Sequence, residues 1–209
     1  MTQDIAAQDI VARTRYGHEV SGLALWQWWQ TARQQAQTAG IDPAEADWVL
    51  YALSNVDGLT LKLGRLREQP KVAARVSLAE LTELWRRRVE ERVPVQYLVG
   101  STRWRNLTIR VSPAVLIPRP ETELIVDLAL EAAGRSSVAE QLQQGIWVDL
   151  GTGSGAIALG LAQAFPKAKI YAVDISEAAL AIARENAALN GLAERIEFRC
   201  GSWFEPLED

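Results

Sequence analysis

From Ile146 to Gly155 the chain reads IWVDLGTGSG, with glycine at 151, 153 and 155. Apolar residues broken by Asp149 describe a buried strand, and alternate glycines describe a turn whose backbone a ligand can approach closely. The segment AIALGLAQAF then carries a helical pattern from Ala156. Strand, glycine loop and helix follow one another in this way in nucleotide pockets of α/β proteins. Asp174 closes a second strand-like run, KIYAVD, 23 residues after Gly151. A carboxylate at the end of that strand is placed to accept hydrogen bonds from ribose hydroxyls.

The glycines admit two ligands. Gly151, Gly153 and Ala156 fit the G-x-G-x-x-G/A pattern of dinucleotide sites, whereas Gly151, Gly153 and Gly155 fit the G-x-G-x-G of S-adenosylmethionine sites. Other reactive side chains are few. His18 lies in a weakly patterned segment without an obvious base or metal partner, and Cys200 follows an apolar run and reads as a small core residue. A single cysteine excludes an internal disulfide and a cysteine-rich metal site.

The elements that position this chemistry fall into two parts. Residues 1–20 are weakly patterned. Ser21 opens a helix that Gly40 ends, with Leu25, Trp26, Trp29, Ala32 and Ala36 on one face and Trp28 pointing away. Asp42-Pro43-Ala44-Glu45 starts the next helix, whose apolar side is Ala46, Val49, Leu50 and Leu53. Ser77-Leu78-Ala79-Glu80 is a capping box, and Leu78, Leu81, Leu84, Trp85 and Val89 continue that helix until Pro94 stops it. Residues 21–93 therefore read as a helical bundle, with Arg86-Arg87-Arg88 on a solvated face.

Beyond Pro94 the period changes. WRNLTIRV, residues 104–111, alternates as a hairpin does, and ETELIVDLALEAA after Pro120 predicts a helix with Leu124, Ile125 and Leu128 facing inward. Residues 135–145 are polar and read as a loop. A helix over about 177–190 and a third strand at Ile196–Arg199 follow. Strands alternating with helices imply a parallel sheet.

The bulk numbers agree with a soluble, two-part chain. The 209 residues are 48% hydrophobic and 23% charged, and no apolar run reaches the ~18 residues of a membrane span. The N-terminal MTQDIAAQDIVART has no apolar core, so no secretory signal is expected and the cytoplasm is the expected location. Residues 1–120 carry 16 Lys and Arg against 12 Asp and Glu, and residues 121–209 carry 6 against 14. The basic excess is too dilute for a nucleic-acid surface, and halves of opposite sign point to different tasks.

Two upstream stretches separate the ligands. VLIPRPETE at 115–123 and PVQYLVG at 94–100, taken with VDLGTGSG at 148–155 and VDIS at 173–176, resemble the methyltransferases that modify a glutamine side chain of peptide chain release factors. The resemblance covers nearly the whole chain. It implies an N-terminal helical substrate-recognition domain at 1–95, a hairpin linker at 96–118 and a partial Rossmann-like methyltransferase domain at 119–209, an α/β fold dependent on S-adenosyl-L-methionine. It further implies that Gly151, Thr152, Gly153, Ser154 and Gly155 cradle the methionine end and ribose, that Asp174 binds the ribose, and that Trp203 packs on the adenine. Asp149 would meet the cofactor's ammonium group or serve as a structural group, and Arg119 to Glu123 would line the approach to the acceptor. Release factors are the implied partners, with no direct nucleic acid, no membrane and no metal.

One departure bears on activity. The family carries an Asn-Pro-Pro-Tyr motif after its fourth strand, and this chain reaches Asp209 without it. An amide nitrogen is a poor nucleophile because its lone pair is delocalised into the carbonyl. In the family that motif accepts the amide N–H groups and aims the nitrogen, and such positioning is worth up to ~7–11 kcal/mol. No residue here is assigned a catalytic role, and impaired turnover is the expectation. The opening strand is expected to form an unpaired sheet edge exposing Trp147 and its neighbours, a site for association. A shortened, non-catalytic protein-binding module is the alternative. An NAD-dependent oxidoreductase sharing the loop ranks below it, because no acid, base or nucleophile can be placed for hydride chemistry.

Overall fold

Local side-chain chemistry sets several helix starts in the first hundred residues. The computed structural model describes residues 16–208, and the chain forms two compact units, Met1–Val99 and Gly100–Asp209. In the first, β1 (His18–Val20) leads into α1 (Gly22–Thr38), α2 (Ala44–Leu53) and the single turn α3 (Gly58–Lys62). Strand β2 (Val72–Ala74) pairs antiparallel with β1, and α4 (Leu78–Glu90) and α5 (Val95–Val99) close the unit. Asp42 accepts the Ala44 N–H at 2.9 Å before α2. The Ser77–Glu80 capping box is complete, with the Ser77 hydroxyl oxygen accepting from the Glu80 N–H and the Glu80 carboxylate from the Ser77 N–H. Ser21 stands at the start of α1 but makes no side-chain capping bond.

The core of this unit gathers Leu25, Leu50, Leu53, Leu66, Leu84 and Trp85. Trp28 joins it, against expectation. Its ring meets Trp85 edge-on at 6.1 Å, because Leu25, Trp28, Ala32 and Ala36 recur at steps of three and four and form the true inner stripe. Trp26 and Trp29 are half-buried at the border of that stripe. There the Trp29 indole N–H donates to Asp47 at 2.6 Å, and the Arg33 guanidinium lies over its ring.

In the second unit, β3 (Ser101–Trp104) and β4 (Leu107–Arg110) form a hairpin with Trp104 opposite Leu107. Then come α6 (Glu123–Arg135), α7 (Ala139–Gln144), β5 (Ile146–Leu150), α8 (Ala156–Ala164), β6 (Lys169–Asp174), α9 (Glu177–Leu189) and β7 (Ile196–Cys200). The three later strands form a parallel sheet in the order β5-β6-β7, an α/β, Rossmann-like arrangement. One sheet face meets the helices. Trp147 stacks on Phe165 at 4.6 Å, Asp149 accepts the Ala158 N–H, and Arg184 of α9 lies over Phe198. On the opposite face Lys169 and Arg199 both lie over the Tyr171 ring, and both pair with Glu197.

Three expectations are corrected in this unit. Leu124, Ile125 and Leu128 are exposed, and α6 buries Val126 and Ala133 instead. An apolar stripe faces inward only if an element lies beneath it, and α6 packs chiefly on α8. Residues 139–144 form the short helix α7 rather than a loop; it buries nothing, so hydrophobic period gave no signal. At the sheet edge Trp147 is half-buried, its indole N–H donating to the Leu142 carbonyl, and Ile146 is the exposed residue. Among the described residues no helix is long and apolar enough to cross a membrane.

Candidate functional site

The glycine loop folds back over the end of β6. The Gly151 and Thr152 N–H groups both donate to the Val173 carbonyl, at 2.8 and 2.9 Å, fixing the turn against the neighbouring strand. Gly151 (φ 75°) and Gly155 (φ 79°) are left-handed for different reasons. A Cβ at Gly151 would project into open space, whereas one at Gly155 would meet the Ala183 methyl of α9 at 3.0 Å. The first leaves open surface. The second lets a helix pack.

Two carboxylates organise the turn. Asp149 is 7% exposed, and one of its oxygens accepts from the Thr152 hydroxyl at 2.7 Å and the Ala158 N–H at 3.0 Å. Burial pushes its carboxyl above the ordinary aspartate range; those two hydrogen bonds oppose the shift, and the negative charge of Asp174 adds to it. Asp149 is thus a structural group of the turn. Asp174 receives the Gly153 N–H on one oxygen at 2.8 Å and the Ser176 N–H on the other at 2.9 Å. Each of its oxygens keeps acceptor capacity for a further donor.

At this corner a cavity of about 200 Å³ is lined by Gly151, Val173, Asp174, Ile175, Gly201, Ser202 and Trp203. Gly151, Asp174 and Trp203 thus converge on it from the ends of three strands. The Trp203 indole is 70% exposed and offers a flat apolar face. The other residues singled out in the sequence stand behind this lining. Gly153 reaches it through its bond to Asp174, the Thr152 side chain is committed to Asp149, and Ser154 is buried with its carbonyl accepting from Asn186. Clear backbone, an acid and a flat ring on one cavity fit the ribose and purine of an adenosyl group. A larger groove of about 570 Å³ lies between the hairpin turn, α6 and α8. Its Arg105 is already committed to Asp127 and to the Glu123 carbonyl, and no residue of the parallel strands β5, β6 and β7 lines it.

Several other side chains are resolved. Cys200 is exposed rather than a core residue, being the last residue of the edge strand β7. The basic run is neutralised: Arg86 pairs with Glu83, Glu90 and Glu91, Arg87 approaches Glu91, and Arg88 binds Glu45. His18 lies 4.0 Å from a Glu80 oxygen. In the proline-rich run, the Arg119 carbonyl accepts the Trp104 indole N–H and Glu123 accepts the Arg105 N–H, so this segment is tied to the hairpin. The side-chain bonds of Asn186 and Asn190 to the hairpin were not expected from the sequence, although two asparagines four apart at the end of one helix were a visible signal.

Known methyltransferases resemble this chain in sequence. Residues 144–209 match the family model described as a methyltransferase domain. The chain is 50% identical over 192 residues to the release factor glutamine methyltransferase of Synechocystis sp., covering 90% of this chain and 62% of that protein. It is 44% identical over 180 residues to the protein of the same name from Gloeobacter violaceus, covering 86% and 59%. For the one from Thermosynechococcus vestitus the identity is 44% over 196 residues, covering 90% and 63%. Over most of its length the chain is similar to release factor glutamine methyltransferases. It spans about three fifths of the length of these relatives. The matched methyltransferase domain takes in β5, the glycine loop, Asp174 and Trp203, the residues around the cavity.

Proposed function

We propose that the cavity at the ends of β5, β6 and β7 holds S-adenosyl-L-methionine, and that the chain serves methylation of a glutamine side-chain amide in the Gly-Gly-Gln motif of peptide chain release factors. The convergence of Gly151, Asp174 and Trp203 on one cavity carries the cofactor half of this reading. The names of its relatives support the substrate half. Asp174 would accept the ribose hydroxyls, Trp203 would stack on the adenine, and the backbone from Gly151 to Gly155 would lie along the methionine end. When bound, the cofactor supplies a methyl already activated by a sulfonium centre. The residues of this chain have then to bind and orient, without covalent catalysis. The N-terminal unit would recognise the protein substrate, and Arg119 to Glu123 would line the approach of the acceptor. A cytoplasmic location goes with that substrate.

Titration calorimetry with S-adenosylhomocysteine tests the cofactor half. The wild-type chain should bind it, NAD should not compete, and Asp174→Ala should weaken binding about tenfold or more, because two ribose hydrogen bonds to a charged group are lost. Affinity unchanged by Asp174→Ala would remove the ribose assignment. Mass spectrometry of a release factor incubated with chain and cofactor tests the substrate half. Methyl incorporation confined to the glutamine of Gly-Gly-Gln supports it, however slow the turnover. Cofactor binding with neither release-factor association nor methylation would overturn it.

A further inference from the structure

Asn186 lies outside the cavity, on the inner face of α9, and is fully buried. A primary amide in such a place is costly unless its hydrogen-bonding capacity is met, and asparagine is a poor helix former. Here it is met by two separate parts of the unit. Its side-chain oxygen accepts the Arg110 N–H of β4 at 2.6 Å, and its amide nitrogen donates to the Arg110 carbonyl at 3.0 Å. The second N–H goes to the Ser154 carbonyl, in the glycine loop, at 2.9 Å.

Asn190 repeats the first half of this pattern, accepting from the Thr108 N–H at 3.3 Å and donating to the Thr108 carbonyl at 2.9 Å. The spacing explains the repeat. Residues four apart on a helix rise about 6 Å, and alternate residues on a strand are about 6.6–6.8 Å apart. Two amides, one on the last turn of α9 and one just past its end, thus occupy the outer edge of β4 as a neighbouring strand would. Asn190 makes no bond to the loop. Only Asn186 joins the two, and one turn earlier Ala183 packs against Gly155. The glycine loop is therefore backed by Ala183 and Asn186 while its other side faces the cavity. The hairpin in turn holds the proline-rich run through Trp104 to the Arg119 carbonyl and Arg105 to Glu123.

We infer that Asn186 is a positioning residue that fixes the glycine loop to the β3–β4 hairpin, so that seating of the cofactor and ordering of the hairpin are linked although Asn186 touches no ligand. The inference rests on the cofactor reading above. A merely space-filling asparagine would leave cofactor affinity and hairpin exchange independent of one another.

Hydrogen exchange on the wild-type chain, with and without saturating S-adenosylhomocysteine, tests this directly. Exchange should slow within 151–155 and also within 107–111. Slowing confined to 151–155 would overturn the inference. Asn186→Asp keeps the shape but replaces the donor with an oxygen facing two carbonyls. It should raise the dissociation constant about tenfold or more and abolish the response of 107–111. Asn190→Ala should speed exchange at 107–109 yet leave the constant within about twofold of wild type. A folded Asn186→Asp chain with wild-type affinity would also overturn the inference. If that variant does not fold, the wild-type exchange result still decides. Absence of binding by the wild-type chain is a different outcome, which brings down the cofactor reading and the inference with it.

Discussion

At the scale of single residues, Asp149 shows how the loop is built at a cost in solvation. Its carboxyl lies in the turn with the Thr152 hydroxyl and the Ala158 N–H on one oxygen, and burial still pushes its pKa upward. The folded state therefore holds the proton more tightly than the unfolded chain, whose reference value is 3.8. Between these two pKa values the folded state binds more protons, so the contribution of Asp149 to stability falls as pH rises and then levels off. Asp127 and Glu197 have the opposite sign: their carboxyls are held low by Arg105 and by Lys169 with Arg199, and their contributions are lost as pH falls. Both terms are common to wild type and Asp149→Asn and cancel in the difference. Urea unfolding from pH 3 to pH 8 should show wild-type stability, relative to Asp149→Asn, decreasing as pH rises above the reference value. A difference that increases over that range would mean the carboxylate is stabilised by its hydrogen bonds more than it is penalised by burial.

At the scale of elements, close approaches and caps decide. Gly160 lies where α8 meets α6 and the hairpin, and a Cβ there would come within 2.7 Å of Val126 and 3.2 Å of the Trp104 ring. Gly160→Ala gains about 1 kcal/mol of helix propensity, while overpacking costs about 1–3 kcal/mol. We expect the second to win, with a lower Tm; a raised Tm would show that Val126 and Trp104 yield freely. Ser77→Ala should cost about 1 kcal/mol in urea unfolding, and Ser21→Ala much less, because only Ser77 makes the capping bonds. The capping box, the hairpin and the loop with Asp174 were legible in the sequence because each is encoded by residues close together or at a fixed spacing. The burial of Trp28 was legible in principle from its step of three after Leu25. The outward face of α6 was not, since period shows that a stripe is apolar but not what lies beside it. Nor was the Asn186–Arg110 pair, which joins residues 76 apart in the sequence.

At the scale of the whole chain, the parallel sheet ends at β5, and among the described residues no strand pairs with its outer edge. Its N–H and C=O groups on that side form a template for another strand. Ile146 at the start of β5 is 65% exposed, and α6 in the same unit exposes Leu124 and Leu128 at about the same level. A net charge of −4 on 209 residues supplies weak repulsion between copies. We therefore expect a second copy of the chain to pair at this edge, giving a sedimentation coefficient that rises with concentration over the micromolar range. Ile146→Lys places a charge on the edge at an exposed position, where the fold tolerates it and an added strand does not. That variant should sediment independently of concentration and bind S-adenosylhomocysteine as the wild type does, because Ile146 lies at the opposite end of β5 from the cavity. A wild-type chain that sediments as a monomer throughout would show that the edge is protected by its own twist and short length. Association undiminished by Ile146→Lys would instead move the contact to another surface, with the stripe of α6 tested next by Leu128→Lys.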